Sequence, residues 1–284
     1  MEQIRYLDSS EVTKAVKDLF IRTNHILPNC VGSALAEAKA KESNALAASV
    51  LETLEKNIQV AKSLDVPVCQ DTGMAIVFAE IGKDLHLTGK TLNEAINEGV
   101  HAAYLDGKLR CSVVHDPFFD RTNTGDNTPA ITYISFCEGD KLKLTALPKG
   151  FGSENMSAIK MFTPSATRAD IINFVLDTVK KAGSNPCPPI VVGIGIGGSF
   201  DYATVLSKKA LARDLDDQNP NEDYRALEEE LLRKINELGI GPQGFGGDTT
   251  ALAVKIEHYP THIAGLPVAV HICCHVARHL TTIL

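Results

Sequence analysis

Residues 190–198 read IVVGIGIGG, an unbroken apolar run with glycine at 193, 195, 197 and 198. It lies between the turn-forming SNPCPP and a helical pattern over 199–214, and its length fits a strand. Glycine carries no Cβ, so the spacing lets a helix backbone approach the strand closely. Gly193, Gly195 and Gly198 also satisfy G-x-G-x-x-G, with Asp214 and Asp216 near the distance at which a dinucleotide fold places its ribose-binding acid. A nicotinamide-dependent oxidoreductase is therefore the alternative from another chemical class. That fold needs the acid at the end of a second strand, whereas here it closes a helix and another helical pattern, 221–238, follows. Close strand–helix packing is the preferred reading.

The rest of the chain mixes helical and extended patterns. Ser9 or Ser10 is placed to cap a helix carrying Val12, Val16, Leu19 and Phe20, and residues 34–64 carry Leu46, Val50, Leu54 and Ile58 at helical spacing. PVCQDTG then forms a loop entering MAIVFAEIG, a strand-length run, and a further helix is read over 91–106. After the polar RTNTGDNTPA, the stretch ITYISFCEGDKLKLTALP alternates about a Glu-Gly-Asp turn and predicts an antiparallel hairpin. PKGFGSEN is a glycine-rich turn, Thr167 caps a helix to about Lys181, and ALAVKIEHYP and LPVAVHICC read as strands. Without a regular strand–helix repeat the fold class is α+β: a single domain, 1–284, with a helical part (1–65) packed on a mixed, largely antiparallel sheet (66–284).

The balance of 28 Lys and Arg against 35 Asp and Glu, net -7, argues against a nucleic-acid or membrane-surface partner, and an anionic ligand would need locally placed cations. No stretch approaches the roughly 20 apolar residues of a membrane span, and MEQIRYLDSSEV lacks a signal-peptide layout, so a cytoplasmic protein is expected. Seven cysteines, an odd number with no C-x-x-C and no zinc spacing, leave only long-range cysteine chemistry. Cys30, Cys111 and Cys137 lie in or beside apolar stretches and read as inert. Cys69 and Cys187 lie in proline-stiffened connections. In HICCHVARHL, strand alternation puts Val268, Val270, Ile272 and Cys274 on one face and Ala269, His271 and Cys273 on the other, so one thiol of the pair serves a given site.

The stretches VCQDTG, NTGDNTPA, KGFGSEN, NPCPP with VVGIGIGG, LGIGPQGFGGDTT and CCHVARH, in this order, resemble the alpha subunit, or N-terminal half, of the iron-sulfur-dependent class I fumarases and the related L-tartrate dehydratases. The resemblance implies a 4Fe-4S cluster held by Cys69, Cys187 and Cys274, the last standing four residues before the arginine of a C-x-x-x-R ending. Three protein ligands leave one iron open as a Lewis acid, where an electron carrier would close it. The implied reaction is reversible hydration of fumarate to L-malate. By the same resemblance, Gln70 and Asp71 contact substrate, with Asp71 the acid. Arg110 clamps a carboxylate, His262 donates a hydrogen bond to it, and backbone NH groups around Gly152 assist.

The family turn is often a triple glycine, which Phe151 interrupts here; the Ser-Glu-Asn ending favours the fumarase over the L(+)-tartrate dehydratase branch. In single-chain relatives a C-terminal half supplies the base, a threonine, with further Arg and Lys contacts. Leu284 directly follows the third cysteine motif, so the resemblance implies an alpha subunit whose site is completed by a separate beta subunit, in an oligomer of such pairs. His271, His275, His279 and Arg278 receive no role at this level.

Overall fold

The computed structural model describes residues 4–284, and the chain divides into two compact units interleaved along the sequence. The first comprises the described residues up to Leu27, Ala61–Gly150 and Arg278–Leu284; the second comprises Pro28–Val60 and Phe151–Ala277. In chain order the elements begin β1 (Arg5–Asp8), α1 (Ser9–His25), α2 (Asn29–Lys41), α3 (Ala45–Leu64), β2 (Met74–Gly82), β3 (Leu85–Thr88), α4 (Leu92–Asp106), β4 (Ile131–Cys137) and β5 (Leu142–Lys149). They continue α5 (Phe151–Glu154), β6 (Ala158–Phe162), α6 (Arg168–Ala182), β7 (Ile190–Gly198), α7 (Phe200–Ala210), α8 (Glu222–Asn236), β8 (Ala251–Thr261), β9 (Leu266–Cys273) and β10 (Leu280–Ile283). No helix among the described residues is long and apolar enough to cross a membrane.

In the first unit a four-stranded sheet runs β10-β5-β2-β4, and β1 and β3 form a separate parallel pair. The sheet packs its buried Ala75, Val77, Leu144 and Ala146 against Val16, Phe20, Ile96 and Val100 of α1 and α4. The α1 cap is Asp8, whose carboxylate accepts from Ser10 NH at 2.8 Å, one residue before the expected serines. Thr91 and Glu94 form a reciprocal capping box that starts α4. Residues 34–64 divide into two helices, α2 and α3, at Glu42–Asn44, where the Asn44 side chain accepts from Leu46 NH.

The expected hairpin of residues 131–148 does not form. β4 pairs in parallel with β2, and β5 pairs antiparallel with the other edge of β2, so β2 separates the two. The reason is burial: β2 carries a near-continuous apolar run suited to a central position, whereas β4 leaves Ile134 and Phe136 exposed and takes the edge. The β2–β3 turn then plugs between the strand ends, with Gly82 NH donating to Lys141 C=O and Lys83 NH to Cys137 C=O.

The second unit contains the sheet β6-β9-β7-β8, with α6 and α8 over one face through Val175, Val179, Leu231 and Ile235. Two of the three pairings in each four-stranded sheet are antiparallel, so α+β with a mixed, largely antiparallel character holds for each. Gly193 and Gly195 lie mid-strand in β7, under α7. A Cβ on Gly195 would stand 2.0 Å from Ala203 O, and one on Gly193 2.2 Å from Ser207 O. The glycine spacing therefore seats a helix backbone on the sheet. These residues are not in a strand-to-helix turn, where a dinucleotide phosphate would need them.

The register decides which loops meet. β7 and β9 are antiparallel with Val191 opposite Cys273, and β7 and β8 are parallel with Ile190 opposite Ala251. The loop before β7, the loop before β8 and the segment after β9 consequently leave the same end of the sheet. The first carries Cys187 and the last Cys274.

Candidate active site

In the first unit, Cys69, Gln70 and Asp71 lie in the loop before β2. The β2–β5 ladder begins at Met74 opposite Lys149, so this loop projects beyond the sheet hydrogen bonds and must be held otherwise. Tyr104, at the end of α4, donates its hydroxyl proton to the carbonyls of Thr72 and Gly73, at 2.9 and 2.7 Å. Burial raises the phenol pKa, so it remains a donor. Asn127 donates to Gly73 C=O at 3.1 Å and accepts from Ser112 NH at 2.7 Å, tying the loop to the segment bearing Arg110. Thr72 closes the arrangement by donating to Arg110 C=O at 3.0 Å. Leu109 is buried and Arg110 is exposed, so the backbone is fixed while the guanidinium faces solvent. Asp71 is half-buried; its Oδ1 accepts from Gly73 NH, and a Cβ placed on Gly150 would lie 3.0 Å from its Oδ2.

Two buried cations stand in this unit, Lys149 at 1% exposure and Arg278 at 3%. Arg278 donates through Nη2 to Asp71 C=O at 2.5 Å and through Nε to Pro148 C=O at 3.3 Å. Its Nη1 is buried with no hydrogen-bond partner among the described residues, a state that costs about 1–3 kcal/mol.

The NTGDNTPA stretch is shaped by Asp126, whose carboxylate accepts from His101 Nδ1 at 2.9 Å and from the NH and hydroxyl of Thr128. Burial raises this carboxyl's pKa, but the His101 and Thr128 hydrogen bonds outweigh it and hold it at about 2. A folded-state value below the ordinary 3.8 contributes stability that is present above that value and lost as pH falls through about 2. An NMR titration is expected to find the Asp126 carboxyl midpoint near 2. A midpoint near 3.8 would show that these bonds do not persist in solution. Asp126→Asn should cost roughly 1 kcal/mol at neutral pH and remove this acid-dependent step.

In the second unit Cys187 has φ 54°, a left-handed conformation that disfavours a residue with a Cβ and marks an over-determined loop. Asn127 and Gln243, in two other quoted stretches, share this conformation. Cys187 C=O accepts from His275 Nδ1 at 2.9 Å, which fixes that nitrogen as the protonated one, since a carbonyl only accepts. His275 directly follows Cys274, so one bond ties the segments carrying both thiols. Gln243 NH and Nε2 each donate to Pro188 C=O at 2.7 Å, bringing GPQGFGG to the same place. Cys187 is exposed and Cys274 half-buried, whereas Cys273 is 6% exposed and held in β9. Cysteine thiolates are the usual iron-sulfur ligands, and two of the three candidate thiols lie on bonded segments, so the donor chemistry fits such a group. No set of three or more His, Cys, Asp or Glu side chains is gathered as a metal site among the described residues.

Gly152 is exposed in α5, and Glu154 closes that turn. The Glu154 carboxylate accepts from His271 Nε2 at 2.6 Å and Lys208 Nζ at 2.9 Å, and both partners are at most 8% exposed. His271 thus anchors the turn from β9. His262 follows β8 at the opposite end of the sheet from Cys187, and the intervening β7, Ile190–Gly198, is about 26 Å long at ordinary strand rise. There it borders a cleft of about 570 Å³ beside Tyr202 and Tyr259. Its Nδ1 accepts from Ala264 NH at 3.1 Å, which leaves Nε2 to donate in the neutral ring. Sequence reasoning named the three cysteines, Asp71 and Arg110 as candidates, left His275 and Arg278 without a role, and did not single out Tyr104, Asn127, Gln243 or Glu154. Only adjacency to Cys274 could have pointed to His275, and the motif position alone to Arg278.

Loops at strand ends, braced by buried polar side chains, carry the candidate thiols, carboxylate and cations, the common construction of an enzyme site. The chain belongs to the fumarate hydratase (Fumerase) family, whose model matches residues 13–283. A Methanocaldococcus jannaschii protein provisionally named L(+)-tartrate dehydratase subunit alpha is 45% identical over 269 residues, 93% of this chain and 94% of its own. The L(+)-tartrate dehydratase subunit alpha of Escherichia coli O157:H7 is 31% identical over 279 residues, covering 97% of this chain and 91% of that protein. That of Escherichia coli K12 is 30% identical over 279 residues, with the same coverage of both chains.

Proposed function

We propose that this chain is the alpha subunit of a 4Fe-4S hydro-lyase that interconverts fumarate and L-malate, with Cys69, Cys187 and Cys274 as cluster ligands and a beta subunit completing the site. The observation that carries the reading is the His275–Cys187 hydrogen bond, which ties two of the three motif cysteines within the extent of the family match. When bound, the cluster supplies a Lewis acid at the iron left open by three cysteine ligands. The base that takes the C3 proton comes from the beta subunit, and this chain's own groups bind the substrate and handle the hydroxyl. Asp71, held beside Gly150, moves the proton of the departing or entering hydroxyl, and the exposed amide of Gln70 donates to the substrate. Arg110 pairs with one carboxylate from a backbone fixed by Leu109 and Thr72, offsetting the negative charge of the protein as a whole. NH groups around Gly152 meet the second carboxylate on a turn braced by Glu154. His262 lies too far along its own sheet to reach the Cys187 end, so in this reading it donates to a carboxylate from a second copy.

The names of the relatives favour a second reading, L(+)-tartrate dehydratase, which uses the same elimination of water from a hydroxydicarboxylate. Anaerobic co-expression with a beta-type partner, followed by iron and sulfide counts and parallel assays, separates them. The expected result is about four iron and four sulfide per chain and a kcat/KM for L-malate or fumarate at least ~100-fold above that for L(+)-tartrate. The reverse ranking would establish the second reading. Saturable NAD(P)H binding by the cluster-free chain would instead revive the oxidoreductase reading of Gly193, Gly195 and Gly198.

A further inference from the structure

Arg278 is a buried cation that no part of the reaction above uses. It lies two residues before β10, whose antiparallel pairing sets Leu280 opposite Ala146 of β5 and so directs the chain back toward Pro148. From there its guanidinium spans two backbone segments, donating to Asp71 C=O and to Pro148 C=O. These segments bracket the Asp71 carboxylate: its own backbone lies on one side, and Gly150, two residues beyond Pro148, faces it so closely that an added Cβ would stand 3.0 Å from Oδ2.

The ladder cannot do this work, because it ends at Met74, three residues after Asp71. Tyr104 and Asn127 hold the carbonyls of Thr72 and Gly73, and Arg278 holds that of Asp71. A side chain kept only for packing would not bring a charge and an unpaired buried Nη1 into the interior; an apolar residue of similar volume would fill the space without either.

We propose that Arg278 is a positioning residue: its planar fork sets the distance between the Cys69–Gly73 loop and the end of β5, and thereby the placement of the Asp71 carboxylate. Lysine cannot replace it, because a single ammonium does not present two donors in fixed directions. The inference rests on the reading of Asp71 as the acid, and its structural half stands without that reading.

Hydrogen–deuterium exchange on the full cluster-free chain tests the structural half. Arg278→Lys is expected to speed exchange of the amides of residues 70–73 at least ~10-fold while leaving the β2–β5 ladder unchanged. Arg213→Lys, at a half-buried arginine of the second unit, should leave residues 70–73 unchanged. In the assembled enzyme Arg278→Lys should lower kcat about 10- to 100-fold with KM within about 3-fold, the signature of a misplaced catalytic group. If Arg278→Lys does not fold, Arg278→Gln, which retains one donor without the charge, is read in the same way. Unchanged exchange at 70–73, or an equal rise throughout the first unit, would overturn the proposal. Absence of hydration activity in fully loaded wild-type enzyme would instead overturn the functional reading and leave the exchange result decisive for Arg278.

Discussion

Cys69→Ser, Cys187→Ser and Cys274→Ser are each expected to abolish the broad visible absorbance of anaerobically reconstituted protein and to reduce hydration activity at least ~10³-fold, since serine is a poor iron ligand at neutral pH. Cys273→Ser should preserve both. The difference follows from position. Cys273 is the last residue of β9, paired with Val191 and buried, so its thiol is fixed by the ladder. Cys274 lies just beyond it, where His275 ties the chain to the Cys187 loop. The same bond predicts an intermediate outcome for His275→Ala: about 3- to 10-fold less stable cluster retention under chelator, from loss of a hydrogen bond worth roughly 1 kcal/mol. An essential Cys273 with a dispensable Cys274 would show that the segment after β9 has a different course in the loaded protein.

Gly195→Ala should lower the stability of the folded chain by about 3 kcal/mol, read as a fall in the denaturant midpoint. The added methyl would meet Ala203 O at 2.0 Å and Ser207 NH at 2.6 Å, both backbone atoms of α7, so the helix must lift from the sheet. Lifting α7 would also disturb Lys208 and through it Glu154, so cofactor-loaded protein should lose activity together with stability. Gly265→Ala is the matched control, for a Cβ there meets nothing within 4 Å, and its effect should stay within about 0.5 kcal/mol. Equal effects of the two substitutions would show that α7 does not rest on the Gly193–Gly195 stretch in solution.

Much of the local structure was legible because it is governed by short-range chemistry. Thr91 and Thr167 cap their helices as their side chains allow, the first with Glu94 and the second with Asp170 in reciprocal boxes. The apolar runs at 74–82, 190–198 and 266–273 became strands, and the alternation in LPVAVHICC put Val268, Val270 and Ile272 on one core face, although both faces of β9 are buried and Cys274 falls beyond the strand. Strand pairing was less legible. Residues 131–148 look like a hairpin locally, yet the more apolar β2 takes the place between them, because alternation specifies faces and not neighbours. The same limitation hid the position of His262, which depends on the direction of β8 relative to β7.

The sequence by itself determined most of the longer elements, the Thr167 cap, the family, and the loops in which Cys69, Asp71 and Cys187 lie, since each depends on residues a few positions apart or on motifs read in order. Only the tertiary structure decided what holds those loops. His275 meets the Cys187 carbonyl across 88 residues, and Arg278 meets that of Asp71 across 207. Both donors stand in the segment between β9 and β10, and which loop each end of that segment meets follows from sheet register.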